Sequence, residues 1–217
     1  MKIKWNGHAS FTITATDGTV LVTDPYDPEG YGGVLTYEPV RDQADAVLVS
    51  HDHADHNFVK GLPGSPQVIK NSGQIRDIRI KGIPVHHDES GGSERGDNMM
   101  FVFTIDGVTI CFAGDLGHQL SEDQVAAIGP VDLLLIPVGG TYTVDAAGAA
   151  RVIKALKPRL TIPMHFKTDK CNLPIAGVEA FLAQMENVKS LHQNEIELSA
   201  DRIPAQGHEV WVMDHAC

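Results

Sequence analysis

A chain of 217 residues has room for one large domain, and its apolar content is sufficient for a core that needs no disulfides. Its formal net charge of −11 at pH 7 disfavours contact with nucleic acid or an anionic membrane surface, and no window approaches the roughly 18 apolar residues of a membrane span. Cys111, Cys171 and Cys217 are an odd, widely spaced set typical of free thiols, so we expect a single cytoplasmic domain over residues 1–217 with a small-molecule substrate. A homo-oligomer is compatible with this composition.

The first half of the chain is predicted to be rich in β-strands. Runs of alternating or β-branched residues predict strands at KIKW, SFTITAT, TVLVTD, AVLVS, QVIK, IRIKGIPVH, MFVFTID and VTICFA. Asp17-Gly18 and Asp106-Gly107 each lie between two such runs and predict tight hairpin turns. Antiparallel neighbours are therefore expected.

Helical patterns follow His56 and cover SEDQVAAI, VDAAGAARVIKAL and PIAGVEAFLAQM. Ser121 and Thr143 are the predicted N-caps of the second and third of these helices. Two apolar strands, DLLLIPV and RLTIPMH, alternate with the later helices, so the pattern predicts an α/β protein. The glycine-rich segment from Glu89 to Asn98 is expected to be an exposed loop.

Three histidines and two aspartates lie within six positions of the segment HDHADH, directly after the strand AVLVS. His51 and His53 are two residues apart in an extended loop, so both imidazoles project to one side and can share an ion. Asp55 and His56 are adjacent and diverge in direction, which suits a second ion. Imidazole and carboxylate ligands favour zinc, with manganese and iron as alternatives.

Further side chains of the same chemical types stand where later strands end. His86 and His87 follow IKGIPV, Asp115 follows TICFAG, and His165 follows RLTIPM. The presence of these further histidines and of Asp115 favours a metal site over a polar surface loop as the interpretation of HDHADH.

Five motifs of the sequence are similar to those of a known protein superfamily. The motifs HDHADH, HHDESGGSERGDN, FAGDLGH, IPVGGTYTVDA and IPMHFKT resemble those of the metallo-β-lactamase superfamily, and within it the L-ascorbate-6-phosphate lactonase-like metal-dependent hydrolases. The resemblance extends from about Trp5 to Thr168. It implies a four-layer αββα sandwich, with two mixed sheets flanked by helices, and a hydrolase that holds two divalent ions, zinc above all.

The resemblance also implies a division of the ligands. One ion is expected on His51, His53 and one histidine of the 86–87 pair, and the other on Asp55, His56 and His165, with Asp115 bridging them. Related sequences have a single histidine followed by aspartate at the pair, as in His87-Asp88, so His87 is the predicted ligand and His86 a neighbour of the site.

Two departures narrow the expected chemistry. Zinc β-lactamases that use a cysteine ligand carry it where this chain has Asp115, and Cys111 stands too early to replace it. The oxygen-reducing di-iron branch carries a glutamate at the position of His53. A hydrolytic site other than a β-lactamase is therefore expected.

The expected enzyme uses a hydroxide bridged by two metal ions to attack an ester-like bond. The resemblance suggests a lactone of a small sugar acid, phosphorylated or not. Asp55 and Asp115 are also candidate catalytic groups for proton transfer, and His118 in GDLGH is a candidate proton donor to the leaving group. A phosphodiesterase acting on a small substrate, and a non-catalytic metal-binding or sensing module, are the alternatives.

Further residues are predicted to contact the substrate or to lie behind the ligands. Asp24 closes an early strand and is expected to orient ligands, and His8 is expected to touch the substrate or a ligand. Gly140 and Thr141, after Gly139, precede a helix and offer backbone N–H groups to an anion, with a plain turn as the alternative. Lys167 and Arg95 are the cationic candidates near the mouth, with a solvated surface charge as the alternative for each. His192, His208 and His215 are interpreted as structural or surface residues.

Overall fold

The computed structural model describes residues 1–217, and fourteen strands form two mixed sheets. The strands are β1 (Lys2–Gly7), β2 (Ser10–Thr14), β3 (Val20–Thr23), β4 (Ala46–Leu48), β5 (Gln67–Ile69), β6 (Gly73–Ile75), β7 (Ile78–His86), β8 (Asp97–Ile105), β9 (Val108–Phe112), β10 (Leu133–Pro137), β11 (Leu160–Met164), β12 (Val188–Ser190), β13 (Glu195–Glu197) and β14 (Glu209–Val212). The first sheet has the order β13-β1-β2-β3-β4-β5, and the second β12-β14-β11-β10-β9-β8-β7-β6.

Both predicted hairpins are present. Asp17-Gly18 joins the antiparallel strands β2 and β3, and Asp106-Gly107 joins β8 and β9. Asp106 and Gly107 have φ of 50° and 77°, the left-handed pair that a two-residue hairpin turn requires. The direct pairing of Ile105 with Val108 fixes the register of the second sheet at this point.

The strand directions bring several strand ends to one edge of each sheet. In the first sheet β1 and β3 share a direction because each is antiparallel to β2, and β4 is parallel to β3. In the second sheet β7 runs with β9, since both are antiparallel to β8, and β9, β10 and β11 are parallel. Backbone hydrogen bonds from His165 N to His8 O (3.0 Å) and from Met99 N to Ser50 O (2.9 Å) join the two edges.

The main core lies between the sheets and beneath the helices. It holds 48 buried residues, and alternation along the strands decides which side chains join it. In β4, Ala46 and Leu48 face this core, whereas Val47 faces a second cluster on the outer side of the first sheet. That second cluster is covered by irregular segments that include Tyr26, Leu35 and Tyr37, and none of its members lies in an α-helix.

Three α-helices are present: α1 (Glu122–Ile128), α2 (Ala146–Leu156) and α3 (Glu179–Leu182). Ser121 caps α1 with a complete capping box, as predicted. The predicted cap of α2 was wrong, since the carboxylate of Asp145, not Thr143, accepts the hydrogen bond from Gly148 N. The longest helix has 11 residues, and none could span a membrane.

Two predicted helices are reduced in the structure. After His56 there is only a single 3₁₀ turn, Val59–Gly61, because His53 O accepts from both His56 N and Asn57 N and the chain then turns away. The segment PIAGVEAFLAQM contains only the single turn of α3, with Phe181 as its one buried residue. The predicted α/β class with two mixed sheets is confirmed by the structure.

Candidate metal centre

The candidate site lies where the joined strand ends meet. His8 follows β1, Asp24 follows β3 and Ser50 and His51 follow β4, while His87, Asp115 and His165 follow β7, β9 and β11 of the other sheet. His8, Asp24 and His165 have φ of 51°, 34° and 50°, in the left-handed region where non-glycine residues carry strain. Such strain persists only where the surrounding structure fixes the backbone, and here it accompanies the ligand-type side chains.

Asp115 stands at the centre of the cluster. Its Oδ2 lies 3.2 Å from the Nε2 atoms of His56, His87 and His165, and 4.0 Å from Nε2 of His51. Both sheets contribute to this group, because His51 and His56 follow β4 and the others follow strands of the second sheet. The predicted bridging residue is thus in contact range of histidines from both predicted ligand groups.

The histidines and carboxylates fall into two groups on either side of Asp115. One consists of His51, His53 and His87, and the other of His8, Asp55, His56 and His165, with the ligand atoms of each group within 4.8 Å of one another. The structure therefore brings together all seven predicted ligands. It also places His8 inside the second group, where its Nε2 lies 3.1 Å from Asp55 Oδ2.

Asp24 is linked to two of the predicted ligands, His56 directly and His51 through Ser50. Its Oδ2 lies 2.8 Å from His56 Nδ1 and accepts the hydroxyl proton of Ser50 at 2.5 Å, while its Oδ1 accepts from Ser50 N at 2.8 Å. Because the Ser50 hydroxyl is committed to Asp24, its oxygen accepts from His51 Nδ1, 2.8 Å away. Both imidazoles therefore carry their proton on Nδ1 and present the Nε2 lone pair to the cluster, the tautomer a metal ligand needs.

The cluster has the donor set and the unmet valences that a metal site would have. Five buried polar atoms lack a hydrogen-bond partner: His8 Nδ1, His56 Nε2, His87 Nδ1, Asp115 Oδ1 and His165 Nδ1. Buried polar groups are almost always paired, so His56 Nε2 and Asp115 Oδ1 call for a cation between them. The Nε2 of His51 and the Nδ1 of His53 lie 2.9 Å apart as a hydrogen-bonded pair, close enough to share one ion in place of that bond. The residues present fit divalent ions.

Burial opposes the charged form of several imidazoles in the cluster. It lowers the pKa of His51 to about 2, that of His8 to about 4, and that of His87 below its ordinary value. Burial also opposes ionisation of Asp115, but His165 and then His56 outweigh it and hold the pKa of that carboxyl well below its usual range. His51, His8 and His87 are thus favoured in the neutral form, whereas at His56 burial is outweighed by Asp115 and Asp55, which raise its pKa well above the ordinary value. A divalent ion at His56 Nε2 would displace a proton and leave the neutral imidazole and ionised carboxylate that bind metal.

Close backbone packing fixes the turn that carries Asp115. Asn98 donates from Nδ2 to Ala113 O (2.9 Å) and accepts from Asp115 N (3.0 Å). Gly114 has φ of 53°, and a Cβ there would lie 2.5 Å from Asn98 Oδ1. Asn98 and Ser50 were not among the predicted site residues, since neither is a ligand-type side chain and their roles depend on contacts between the two sheets.

The structure separates His87 from His86. His87 faces the cluster, whereas the half-exposed side chain of His86 lies on the other side of the strand with its Nδ1 3.0 Å from Asp97 Oδ1. This follows from the alternation of side chains in an extended chain.

The predicted proton donor His118 does not reach the cluster. Its Nε2 accepts from His86 N at 3.0 Å and its Nδ1 donates to Gln119 O at 2.7 Å, so both ring nitrogens are engaged by backbone. His118 is only three residues from Asp115 in sequence, but it lies away from the cluster because the chain after Asp115 turns along the end of β7.

Three predicted substrate contacts also lie away from the metal-binding atoms. The Asp145 carboxylate already occupies the start of α2, where an anion was expected, and the Thr141 hydroxyl donates to Pro174 O at 2.8 Å. Gly140 O accepts from Tyr142 N, so this turn serves to place Tyr142. Lys167 Nζ, which is exposed, donates to Leu173 O at 3.1 Å. The structure gives no support to anion binding at Gly140 and Thr141.

A cavity of about 340 Å³ opens onto the cluster. Its floor is formed by His53, Asp55, His87, Asp115 and His165, and its walls by Tyr31, Val34, Arg95, Tyr142 and Leu173. This volume suits a small organic molecule. His208 and His215 lie elsewhere, paired with Thr161 and Asp169 respectively.

Comparison with known proteins agrees with this geometry. The profile of the β-lactamase superfamily domain matches residues 2–165. A UPF0173 metal-dependent hydrolase of Thermoplasma acidophilum is 30% identical over 193 residues, covering 77% of this chain and 84% of that protein. Another, from Carboxydothermus hydrogenoformans, is 29% identical over 199 residues, covering 77% and 85%.

A solved structure extends the likeness over nearly the whole chain. A protein of Thermotoga maritima, assigned to the Zn-dependent hydrolases of the metallo-β-lactamase superfamily, superposes with a TM-score of 0.77 at 34% identity. The match covers 98% of this chain and 97% of that one.

Proposed function

The chain belongs to the β-lactamase superfamily, and we propose that it is a metal-dependent hydrolase that holds two divalent ions, zinc above all. One ion would be held by His51, His53 and His87, and the other by Asp55, His56 and His165, with Asp115 between them. The observation that carries the proposal is the position of Asp115 Oδ2, 3.2 Å from imidazoles of both groups. A single ion would leave one of these groups without its cation.

The ions would supply an acidified water and a Lewis acid for the reacting bond. Side chains of the protein orient the residues that would bind these ions. Asp24 and Ser50 fix the tautomers of His56 and His51, and His8 holds Asp55 through its Nε2. Tyr142 and Leu173 line the cavity through which a substrate would reach the cluster.

The substrate class we propose is a small ester-like molecule, with a lactone as the leading candidate. The cavity is sized for such a molecule, and its walls are mostly apolar. No serine or cysteine lines the cavity, and the hydroxyl of Ser50 behind the cluster is already bonded to Asp24 and His51. Hydrolysis at this cluster is therefore proposed to proceed without a covalent enzyme intermediate.

The test is a panel of lactones, phosphorylated lactones and phosphodiesters, assayed with the zinc-loaded and the manganese-loaded protein. We expect turnover of lactones that is lost on chelation and lost in Asp115→Ala. Asp52→Ala is the matched control, because Asp52 belongs to the same HDHADH segment but is exposed and pairs with Lys70. It should keep the wild-type rate.

Cleavage confined to phosphodiesters would replace the lactonase proposal by phosphodiesterase activity. Binding of both ions without turnover of any substrate on the panel would contradict the proposed ester chemistry. Turnover in Asp115→Ala at the wild-type rate would contradict the proposed site itself. Metal content and thermal unfolding of each variant separate loss of chemistry from loss of structure.

A further inference from the structure

The loop that follows His87 is organised around one buried carboxylate. Asp88 accepts four backbone hydrogen bonds: Oδ1 from Ser90 N (2.8 Å) and Gly92 N (2.9 Å), and Oδ2 from Glu94 N (3.0 Å) and Arg95 N (2.8 Å). Two further backbone bonds, from Gly96 N to Gly92 O and from His87 N to Gly96 O, close the loop at its base. The glycine-rich segment is thus a built structure whose backbone is tied to the residue beside a predicted ligand.

This construction holds Arg95 at the mouth of the cavity above the cluster. The Arg95 guanidinium lies over the ring of Tyr142, with its Cζ 5.9 Å from the ring centroid. Arg95 lines the cavity that opens onto the cluster and also an adjoining groove of about 710 Å³, and both contain His53. It stands where a molecule that reaches the cluster would pass.

Arg95 is the only lysine or arginine that lines the cavity above the cluster. Its side chain has one protein partner, Glu94 Oε2, at 3.5 Å from Nη1, the limit of a hydrogen bond. A guanidinium carries five N–H donors, so most of them are free. The neighbouring cations are engaged: Lys70 pairs with Asp52, and Lys167 donates to a backbone carbonyl.

Free donors on a fixed guanidinium are suited to an oxyanion. Arginine binds carboxylate and phosphate through two parallel hydrogen bonds, and stacking on an aromatic ring orients the planar group for this geometry. The backbone N–H of Arg95 is itself one of the four donors to Asp88, and its guanidinium lies over the Tyr142 ring, so both its backbone and its side chain are directed to the mouth of the cavity. The walls around it, Tyr31, Val34 and Leu173, suit the carbon skeleton of an organic substrate.

We propose that Arg95 is the specificity-determining residue of this site, and that it binds an anionic group, a carboxylate or a phosphate, on a substrate whose reacting bond lies at the cluster. This inference rests on the proposed hydrolase function and names its substrate class. It makes Asp88 a positioning residue, which acts on the substrate through the backbone of Arg95.

The test measures binding and needs no turnover. Isothermal titration compares succinate with butyrate, glutarate with pentanoate and adipate with hexanoate, in zinc-loaded and in metal-free protein. Each pair has the same chain length and differs by one carboxylate. In the zinc-loaded protein we expect the best dicarboxylate to bind at least about tenfold more tightly than its partner, which corresponds to about 1.4 kcal/mol.

In Arg95→Met this preference should fall to about twofold or less, and Arg95→Lys, which keeps the charge but loses the planar group, should retain part of it. Arg151→Met is the matched control, because the exposed Arg151 borders a neighbouring cavity with Arg95 but not the cavity above the cluster. It should keep the full preference.

The inference is overturned if the wild type shows no preference for a dicarboxylate, or if Arg95→Met keeps it. A carboxylate preference that depends on Arg95 in a protein that hydrolyses no ester would instead contradict the proposed function and support the anion site. Thermal unfolding of each variant confirms that the protein under titration is folded, which is expected because Arg95 lies at the surface.

Discussion

Replacing Asp24 by asparagine is expected to weaken the binding of both ions, although Asp24 belongs to neither ligand set. The wild-type carboxylate receives three hydrogen bonds, from Ser50 N, Ser50 Oγ and His56 Nδ1. An asparagine presents one oxygen and one NH₂ group in the same space. Whichever way the amide is turned, at least one buried donor faces an NH₂ group.

The size of the effect follows from what Asp24 holds. An unpaired buried donor costs about 1–3 kcal/mol, a cost paid in the folded protein with or without metal. Loss of an orienting group behind a metal ligand lowers affinity by about 10–100-fold, or about 1.4–2.7 kcal/mol. Because His56 and His51 are placed in different groups, we expect losses of this size at each ion.

Ser50→Ala serves as the selective control. It removes the link from Asp24 to His51 and leaves the contact between Asp24 and His56 in place. Zinc titration against a competing chelating dye should therefore show one weakened step in Ser50→Ala and two in Asp24→Asn. The far-ultraviolet circular dichroism of both variants should match the wild type.

Two results would refute this reasoning. If folded Asp24→Asn binds both ions as tightly as the wild type, Asp24 does not orient ligands. If Ser50→Ala weakens both steps equally, the serine acts on the site in some way other than through His51.

Two further predictions concern the frame of the site. Gly117→Ala should lower the free energy of unfolding by about 3 kcal/mol, because the new Cβ would lie 2.2 Å from the carbonyl carbon of His87. Gly107→Ala, with nothing within 4 Å of its Cβ but φ of 77° in the left-handed hairpin turn, should cost only about 1 kcal/mol, and equal losses in urea unfolding would contradict the packing argument. Burial raises the pKa of Cys111 to about 12. As the pH rises, the thiol therefore ionises in the unfolded chain before it ionises in the folded protein. The stability that the buried neutral thiol provides below pH 9 is lost toward pH 12. Between pH 8 and pH 10 the wild type should therefore lose about 1.4 kcal/mol more than Cys111→Ala, and parallel pH profiles of the two proteins would contradict this.

Much of this architecture was predictable because its signals are local. Alternation and the Asp-Gly pairs identified β2, β3, β8 and β9 and their turns. The candidate ligands could be placed together because they follow strands whose ends meet at one edge. Alternation also distinguishes His87 from His86.

What could not be predicted depends on contacts distant in sequence. Strand β12 is three exposed residues that pair only with β14, so its own sequence carries no strand signal. The segment after His56 has helical periodicity, yet its backbone is held by its contacts with His53 O and Pro25 O. His118 has the right chemistry and spacing for a donor, but the N–H of His86 already occupies its Nε2. Asp88 resembles any loop aspartate until four N–H groups are seen to converge on it.

The left-handed backbone at His8, Asp24 and His165 limits the mutational routes open to this site. Glycine, asparagine and aspartate tolerate that conformation best, and β-branched or bulky residues do so worst. A descendant that exchanges its ligand at His165 would therefore pass through Asn or Asp far more readily than through Val or Ile. The imidazoles of His51, His53 and His87 stand on ordinary backbone and carry no such restriction. Change of metal preference in this lineage should thus begin at these positions or at Asp55 and His56, whose backbone is also ordinary, and reach His165 last.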